Sequence, residues 1–174
     1  MQIPTFSFTT EYPGIARVLR NKVLISPAHD ISQIPQLSPS QDCKEYVAIW
    51  DTGATGSVVT ERVIKECSLV PIGVAEVHGI GGARRANKYL VNIWLPNKVV
   101  ISSVEVIEGQ VKNQDVLIGM DIINKGDFAV TNYRGKTIFS YRFPSVESID
   151  FVKYPFKSKV SLSIPGSRKN KNRR

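Results

Sequence analysis

The sequence predicts a mainly β protein with short helices, and three observations support this fold class. Short apolar segments rich in β-branched residues recur along the chain, separated by Gly, Pro and Asn. Helical spacing of apolar residues is found in two short segments, 60–69 and 120–126. A length of 174 residues, 42% of them apolar, suits one domain with a packed core, and the sequence has no internal repeat.

The N-terminal part is predicted to contain an extension, a strand pair and a loop. We expect residues 1–14 to form an extension that precedes a single domain over 15–145. Residues 15–26 have the β-branched enrichment of a strand pair. The following residues are rich in Pro, Ser and Gln without a sustained period, which predicts a surface loop inserted at about 27–42.

The next segment places an acid between a strand and a helix. An apolar strand is predicted over 45–50, and it leads directly into Asp51 in the sequence IWDTGATGSVVT. Thr60 is a suitable N-cap for the short helix predicted over 60–69. Asp51 is therefore expected in a glycine-flanked turn at the end of a core strand.

A long hairpin is predicted in the middle of the chain. Residues 72–79 and 87–95 are strand-like, and the connection over 79–85 has too much glycine for a helix. Because this connection also contains the apolar Ile80, it is unlike an ordinary surface loop. We predict a hairpin with a mobile tip that carries Ile80.

The remaining elements are short and complete the predicted β domain. Residues 98–107 and 115–118 are predicted strands, and 120–126 is predicted to form one or two helical turns that end at a glycine. A final hairpin over 127–143 is expected to turn at 132–135.

The excess positive charge lies at the C-terminal end. The formal net charge is +8, yet residues 1–150 contain 15 basic and 15 acidic residues, whereas 151–174 contain eight basic residues and no acidic one. We interpret 146–174 as a basic, flexible tail that keeps the protein in solution. The alternative is an arm that binds RNA, DNA or anionic lipid.

The sequence gives no sign of a metal site, a cofactor or a membrane segment. Cys43 and Cys67 are too few for a disulfide scaffold, and with His29 and His78 they lack zinc-ligand spacing. No apolar run reaches the length of a bilayer span, and the first residues do not have the pattern of a signal peptide. We therefore expect a cytoplasmic protein with free thiols, no cofactor and no membrane association.

The first of three motifs combines groups suited to acid–base chemistry. Asp51 can donate or accept a proton, and the Thr52 hydroxyl can tie its turn to a neighbouring backbone. Gly53 leaves room for a substrate backbone to pass the acid, and Ala54 keeps the floor of the site shallow. The other two motifs are Gly79-Ile80-Gly81-Gly82 at the hairpin tip and Leu117-Ile118-Gly119 before the second helix.

These three motifs, in this order, resemble those of the retropepsins, the single-lobed aspartic proteases of retroviruses and their cellular and bacterial relatives. The resemblance covers about residues 15–142. It implies a single-lobed β-barrel with a flap hairpin, which hydrolyses peptide bonds as a homodimer. It also implies a catalytic Asp51 supported by Thr52 and Gly53, with peptide contacts from Gly53, Ala54, Thr55, Gly79, Ile80, Gly81, Gly82 and Ile118.

Two departures from the retroviral pattern occur together. Retroviral enzymes have an acidic residue where this chain has Thr55, and an Arg where it has Met120. These two residues would form an ion pair, and loss of only one of them would leave the other charge buried without a partner. The absence of both therefore indicates that this chain has a different, intact arrangement at these positions. The chain resembles bacterial and cellular members, such as the retroviral-like domain of DNA-damage-inducible ubiquitin shuttle proteins, more than viral ones.

The second carboxylate of an aspartic protease is expected from a second chain. No other Asp in this sequence is followed by Thr-Gly or Ser-Gly. A two-fold axis would bring Asp51 of one subunit beside its own copy, and the two acids would share one proton. The hairpin over 127–142 is our prediction for the dimer contact. Two alternatives remain open, a peptide-binding module of this fold that does not cut, and a nucleic-acid-associated protein that acts through the tail.

Overall fold

The computed structural model describes residues 4–30, 39, 42–79 and 82–153. Within these residues the chain is mainly β, as predicted, with few short helices. The strands are β1 (Phe6–Glu11), β2 (Leu19–Pro27), β3 (Lys44–Trp50), β4 (Val58–Val59), β5 (Gly73–Gly79), β6 (Gly82–Leu95), β7 (Val99–Glu108), β8 (Val116–Ile118), β9 (Asp127–Tyr133) and β10 (Lys136–Phe143). The helices are α1 (Glu61–Glu66) and α2 (Met120–Ile123), with a 3-10 turn at Pro96–Lys98.

Six strands form a closed barrel. Their order is β2-β3-β8-β4-β7-β6, and the pairing of β2 with β6 completes the ring. Alternate side chains of β3, namely Tyr46, Ala48 and Trp50, are buried in the core, as period-2 geometry requires. Strand β5 pairs with the outer part of β6, so these two strands form a hairpin that extends from the barrel.

A second, three-stranded sheet has the order β1-β10-β9. It packs on the barrel through an aromatic cluster in which the Trp50 ring centroid lies 5.0 Å from that of Phe139 and 5.9 Å from that of Phe128. Strand β1 belongs to this sheet and pairs with β10 along its whole length. Residues 6–11 are therefore part of the folded unit, although we expected 1–14 to precede it.

Several predicted elements are confirmed, and three differ. The predicted strands over 45–50, 98–107 and 115–118 and the final hairpin all form, and each predicted helix is present in a shorter form. Residues 15–26 contribute one strand rather than a pair. The second hairpin strand begins at Gly82, so Arg84 and Arg85 lie in β6 rather than in the connection.

The third difference concerns Thr60. It occupies the N-cap position of α1, but its side chain makes no capping hydrogen bond. Most of the predicted 27–42 loop, the tip residues Ile80 and Gly81, and the tail from residue 154 lie outside the described residues. No helix among the described residues is long and apolar enough to cross a membrane.

Candidate active site

Asp51 follows the last residue of β3 and is held by two backbone groups. Its own N–H donates to the carbonyl oxygen of Ile118 on the neighbouring β8, at 2.9 Å. The Gly53 N–H donates to Asp51 Oδ1 at 2.8 Å and so fixes the carboxylate within its turn. Asp51 is partly exposed, while Thr52 and Gly53 are exposed. The strand thus presents an oriented carboxylate at the surface of the chain.

The loop over 51–57, here called the acid loop, is bound to the start of α2. The Met120 N–H donates to the Ala54 oxygen at 2.8 Å, and the Asp121 N–H donates to the Thr55 oxygen at 3.2 Å. A side chain at Gly119 would place its Cβ 2.6 Å from the Gly56 oxygen. Glycine is therefore required at 119 because two backbone segments approach closely there.

A polar clamp between Ser57 and Asp121 completes this attachment. Ser57 donates from its hydroxyl to Asp121 Oδ1 at 2.8 Å and from its N–H to Asp121 Oδ2 at 3.1 Å. The Gly119 N–H donates in turn to Ser57 Oγ at 3.1 Å. The clamp joins the same two segments that the absent charges at Thr55 and Met120 would have joined.

Sequence reasoning missed this clamp. The joint absence of charge at Thr55 and Met120 indicated that a substitute exists, but no short motif includes both Ser57 and Asp121, which lie 64 positions apart. An Asp that follows the apolar-Gly motif by two residues is the signal that could have suggested it.

The motif residues differ in exposure and in their contacts. The Leu117-Ile118-Gly119 run packs beneath the acid loop, as expected. Ile118 itself is 0% exposed, so in the single chain it supports the loop and offers no surface to a peptide. Thr52 is exposed, and its hydroxyl makes no hydrogen bond within the described part of the chain.

The β5–β6 hairpin, which is the predicted flap, carries the second motif. Gly79 and Gly82 pair with each other at the end of the β5–β6 ladder. Ile80 and Gly81 lie outside the described residues, so the role of the tip as a cover stays a prediction. Among the described residues, no group of three or more His, Cys, Asp or Glu is arranged to hold a metal ion.

Comparisons with known proteins agree with this geometry. Residues 41–122, which include the acid loop and the run beneath it, match the family model described as aspartyl protease. A retropepsin-like aspartic protease from Rickettsia conorii superposes with a TM-score of 0.50 over 82% of this chain and 98% of that chain, at 10% sequence identity. The chain therefore has a retropepsin-like fold, and its residues 41–122 resemble aspartyl proteases.

Other retropepsin-like structures are similar over smaller parts. EIAV protease, solved in complex with the inhibitor HBY-793, matches 65% of this chain and 90% of that chain, with 17% identity and a TM-score of 0.48. The retroviral protease-like domain of Ddi1 from Leishmania major matches 62% of this chain and 78% of that chain, with 17% identity and a TM-score of 0.36. No curated protein matches the sequence.

Proposed function

We propose that this chain is an aspartic endopeptidase whose active site contains Asp51 from each of two identical subunits. The observation that carries the proposal is the presentation of Asp51 at the surface, oriented by Gly53 and fixed by the Ser57–Asp121 clamp. A single oriented acid is half of a carboxylate dyad. An isologous dimer supplies the other half, since a residue near a two-fold axis meets its own copy.

The proposed dimer contact is the hairpin formed by β9 and β10. Among the described strands β9 pairs with β10 alone, so its outer edge is free, and its Val130 and Tyr133 side chains are exposed. Antiparallel pairing of two β9 edges would satisfy their backbone groups. The contact of Phe128 on β9 with Trp50, the neighbour of Asp51, supports this choice, because it places β9 close to the acid loop.

The proposed reaction uses water as the nucleophile. The two carboxylates hold one proton between them, because two close anions are costly. The ionised carboxylate takes a proton from a water molecule, whose oxygen attacks the peptide carbonyl while the protonated carboxylate donates a hydrogen bond to the carbonyl oxygen. The peptide would lie extended between the acid loop, at Gly53, Ala54 and Thr55, and the flap residues 79–82.

We also propose a cytoplasmic location. Cys67 is a buried thiol beside the Tyr46 hydroxyl and forms no disulfide. Cysteines without disulfides are typical of reducing compartments.

The decisive experiment is incubation of the purified chain with a mixed peptide library, with cleavage followed by mass spectrometry. We expect defined cuts with a bell-shaped pH profile on the acid side, because doubly ionised and doubly protonated dyads are both inactive. Asp51→Asn is the matched control and should cut nothing. Cleavage that survives in Asp51→Asn, or that a metal chelator abolishes, would overturn the proposal. Binding of peptides without cleavage by the wild-type chain would identify a peptide-binding module instead.

A further inference from the structure

A cleft of about 710 Å³ lies between the flap and the barrel. Arg84 of strand β6 and the segment 109–112 that follows β7 both line it, and Arg84 reaches the start of that segment through the Glu108 oxygen. Thr60 and the first residues of α1 form a third side. The cleft is thus built from three separate elements, one of which belongs to the flap.

The cleft lies a short distance along β8 from the catalytic position. Ile118 is the last residue of β8, and its oxygen accepts the Asp51 N–H. Asp115 immediately precedes the first residue of β8, and its oxygen accepts the Thr60 N–H at 3.0 Å. Three residues of strand separate these two carbonyls, which corresponds to about 10 Å. An extended peptide that follows β8 from a scissile bond at Asp51 would span this distance in about three residues.

Some of the charges around the cleft already have partners. Arg62 donates to Glu66 at 2.9 Å and to Asp115 at 3.3 Å. Glu61 lies 2.6 Å from the Lys65 ammonium. Because Arg62 and Glu61 are already paired with opposite charges, they contribute little to the attraction of a charged ligand.

Two cationic side chains that line the cleft, those of Arg84 and Lys112, have hydrogen-bond donors available for a ligand. Arg84 donates one hydrogen bond from Nη2, to the backbone oxygen of Glu108 at 3.2 Å. Lys112 is exposed and forms no ion pair within the described part of the chain. The opposing charge is the Glu108 carboxylate, which already accepts from Asn87 at 3.0 Å and Tyr89 at 3.3 Å.

We propose that this cleft binds an acidic side chain of the peptide substrate, three or four residues from the scissile bond, through Arg84 and Lys112. The proposal rests on the proposed function and adds the substrate class. A guanidinium and an ammonium that line one cleft can hold a carboxylate with charge-assisted hydrogen bonds. Because Arg84 lies on the flap, an acidic residue that binds it also links the flap to segment 109–112.

The test measures binding and cleavage separately. The inactive full chain Asp51→Asn, immobilised, is used to capture peptides from a random library, and the active chain is used to cleave the same library. Both experiments are repeated with Arg84→Glu and Lys112→Glu added together. Lys98→Glu is the matched control, since it reverses an exposed charge beyond the far end of β6 and leaves the basic tail unchanged.

We expect captured and cleaved peptides to be enriched in Asp and Glu three or four residues from one side of the cut. A peptide with Glu at that position should have a kcat/KM about threefold to tenfold above its Gln counterpart, mainly through KM, as for partly exposed charge pairs. The double reversal should abolish the preference, and Lys98→Glu should retain it. Capture without this preference, or a preference that the double reversal leaves unchanged, would overturn the inference. Acid-selective capture without cleavage would refute the proposed protease and leave the acidic site standing.

Discussion

The acid loop and the flap hairpin face each other in the proposed site, yet they are built in opposite ways. The acid loop is joined to the start of α2 by two backbone hydrogen bonds and by the Ser57–Asp121 clamp. The flap strand β5 pairs with β6 alone among the described strands, and Val74, Glu76 and Arg85 on the hairpin are exposed. Cross-linked backbone resists local opening, whereas a two-stranded hairpin outside the core opens at low cost.

This difference separates two requirements of the proposed reaction. Carboxylates that share a proton must be positioned within a fraction of an ångström, so their loop is fixed from several sides. A cover over a peptide has to move for the substrate to enter, so it makes few contacts with the barrel. Substitutions in the two regions should accordingly affect different measured quantities.

The largest expected effect is that of Asp51→Asn. Turnover should fall at least about a thousandfold, because Asn cannot act as the ionised base. The fold should be retained, since Asn has nearly the shape of Asp and can still accept the Gly53 N–H. The measurement is kcat with a cleaved peptide, together with thermal unfolding as the control. Full activity of this variant would remove the acid loop from the site.

The same variant tests whether two subunits share one site. If wild-type and Asp51→Asn chains exchange and pair at random, an equal mixture at fixed total chain should retain about a quarter of the wild-type rate. Independent monomeric sites would retain about half. Exchange has to be demonstrated first with one tagged subunit, because a dimer that never dissociates also gives one half. A linear dilution series with proven exchange contradicts the shared dyad.

The next largest effect is expected from Asp121→Ala, which removes the clamp. The buried Ser57 hydroxyl and N–H lose a charged acceptor, and the free energy of unfolding should fall by about 2–4 kcal/mol. The kcat should fall as well, because the acid loop is less well held. Asp121→Asn keeps an acceptor oxygen and should recover part of both losses. Urea unfolding measures the stability, and a change below about 0.5 kcal/mol would show that the clamp does not hold the loop.

On the flap, Ile80→Asp should act on binding rather than on stability. A carboxylate at the tip would bring water to the site that the tip is expected to cover, so KM should rise about fivefold to tenfold. Unfolding in urea should be unchanged, in contrast to Asp121→Ala. The control is Ile80→Val, which keeps the tip apolar. Unchanged kinetics of Ile80→Asp would mean that the tip does not close over the peptide.

The smallest expected effect concerns Asp127, the first residue of β9 in the second sheet. Burial raises the pKa of this carboxyl. The Ser145 hydroxyl, the Val146 N–H and the Arg142 guanidinium together lower the pKa by more than burial raises it, so it lies below its ordinary value. Its stabilising contribution is present above the unfolded-state pKa of about 3.9 and is lost as the pH falls through the folded-state pKa.

Asp127→Asn should therefore cost about 1 kcal/mol at pH 7 and much less near pH 3, as measured by urea unfolding at both pH values. Glu45→Gln is the control, because the ion pair of Glu45 with Lys22 is exposed and should contribute little at either pH. An equal loss at pH 7 and pH 3 would show that the charge of Asp127 does not contribute.

The parts of this fold that depend on local patterns were predictable from the sequence. The apolar alternation of Tyr46, Ala48 and Trp50 predicts β3, and its abrupt end at Asp51 identifies the acid. Strand β1 was missed because its exposed positions are polar and its partner β10 is distant in sequence. Arg84 was assigned to a loop because residues 82–85, which are all exposed, show no apolar alternation.

The contacts that position the candidate site were harder to predict. The Ser57–Asp121 clamp joins residues from two different motifs, and neither residue has a distinctive sequence neighbourhood. The cleft beside the flap combines residues from α1, β6 and the end of β7. Such juxtapositions depend on the closure of the barrel, which no window of sequence contains.

The pairing of the first strand with the last strand also determines when their sheet can form during protein synthesis. Thr9 of β1 lies 2.9 Å from Ser140 of β10, a residue 131 positions later in the chain. At 5–20 residues per second, β1 waits roughly 10 s on the ribosome for its partner. The sheet that carries the proposed dimer contact is completed only when synthesis of the domain is nearly finished. A nascent chain that still lacks β10 therefore cannot form the proposed dimer contact.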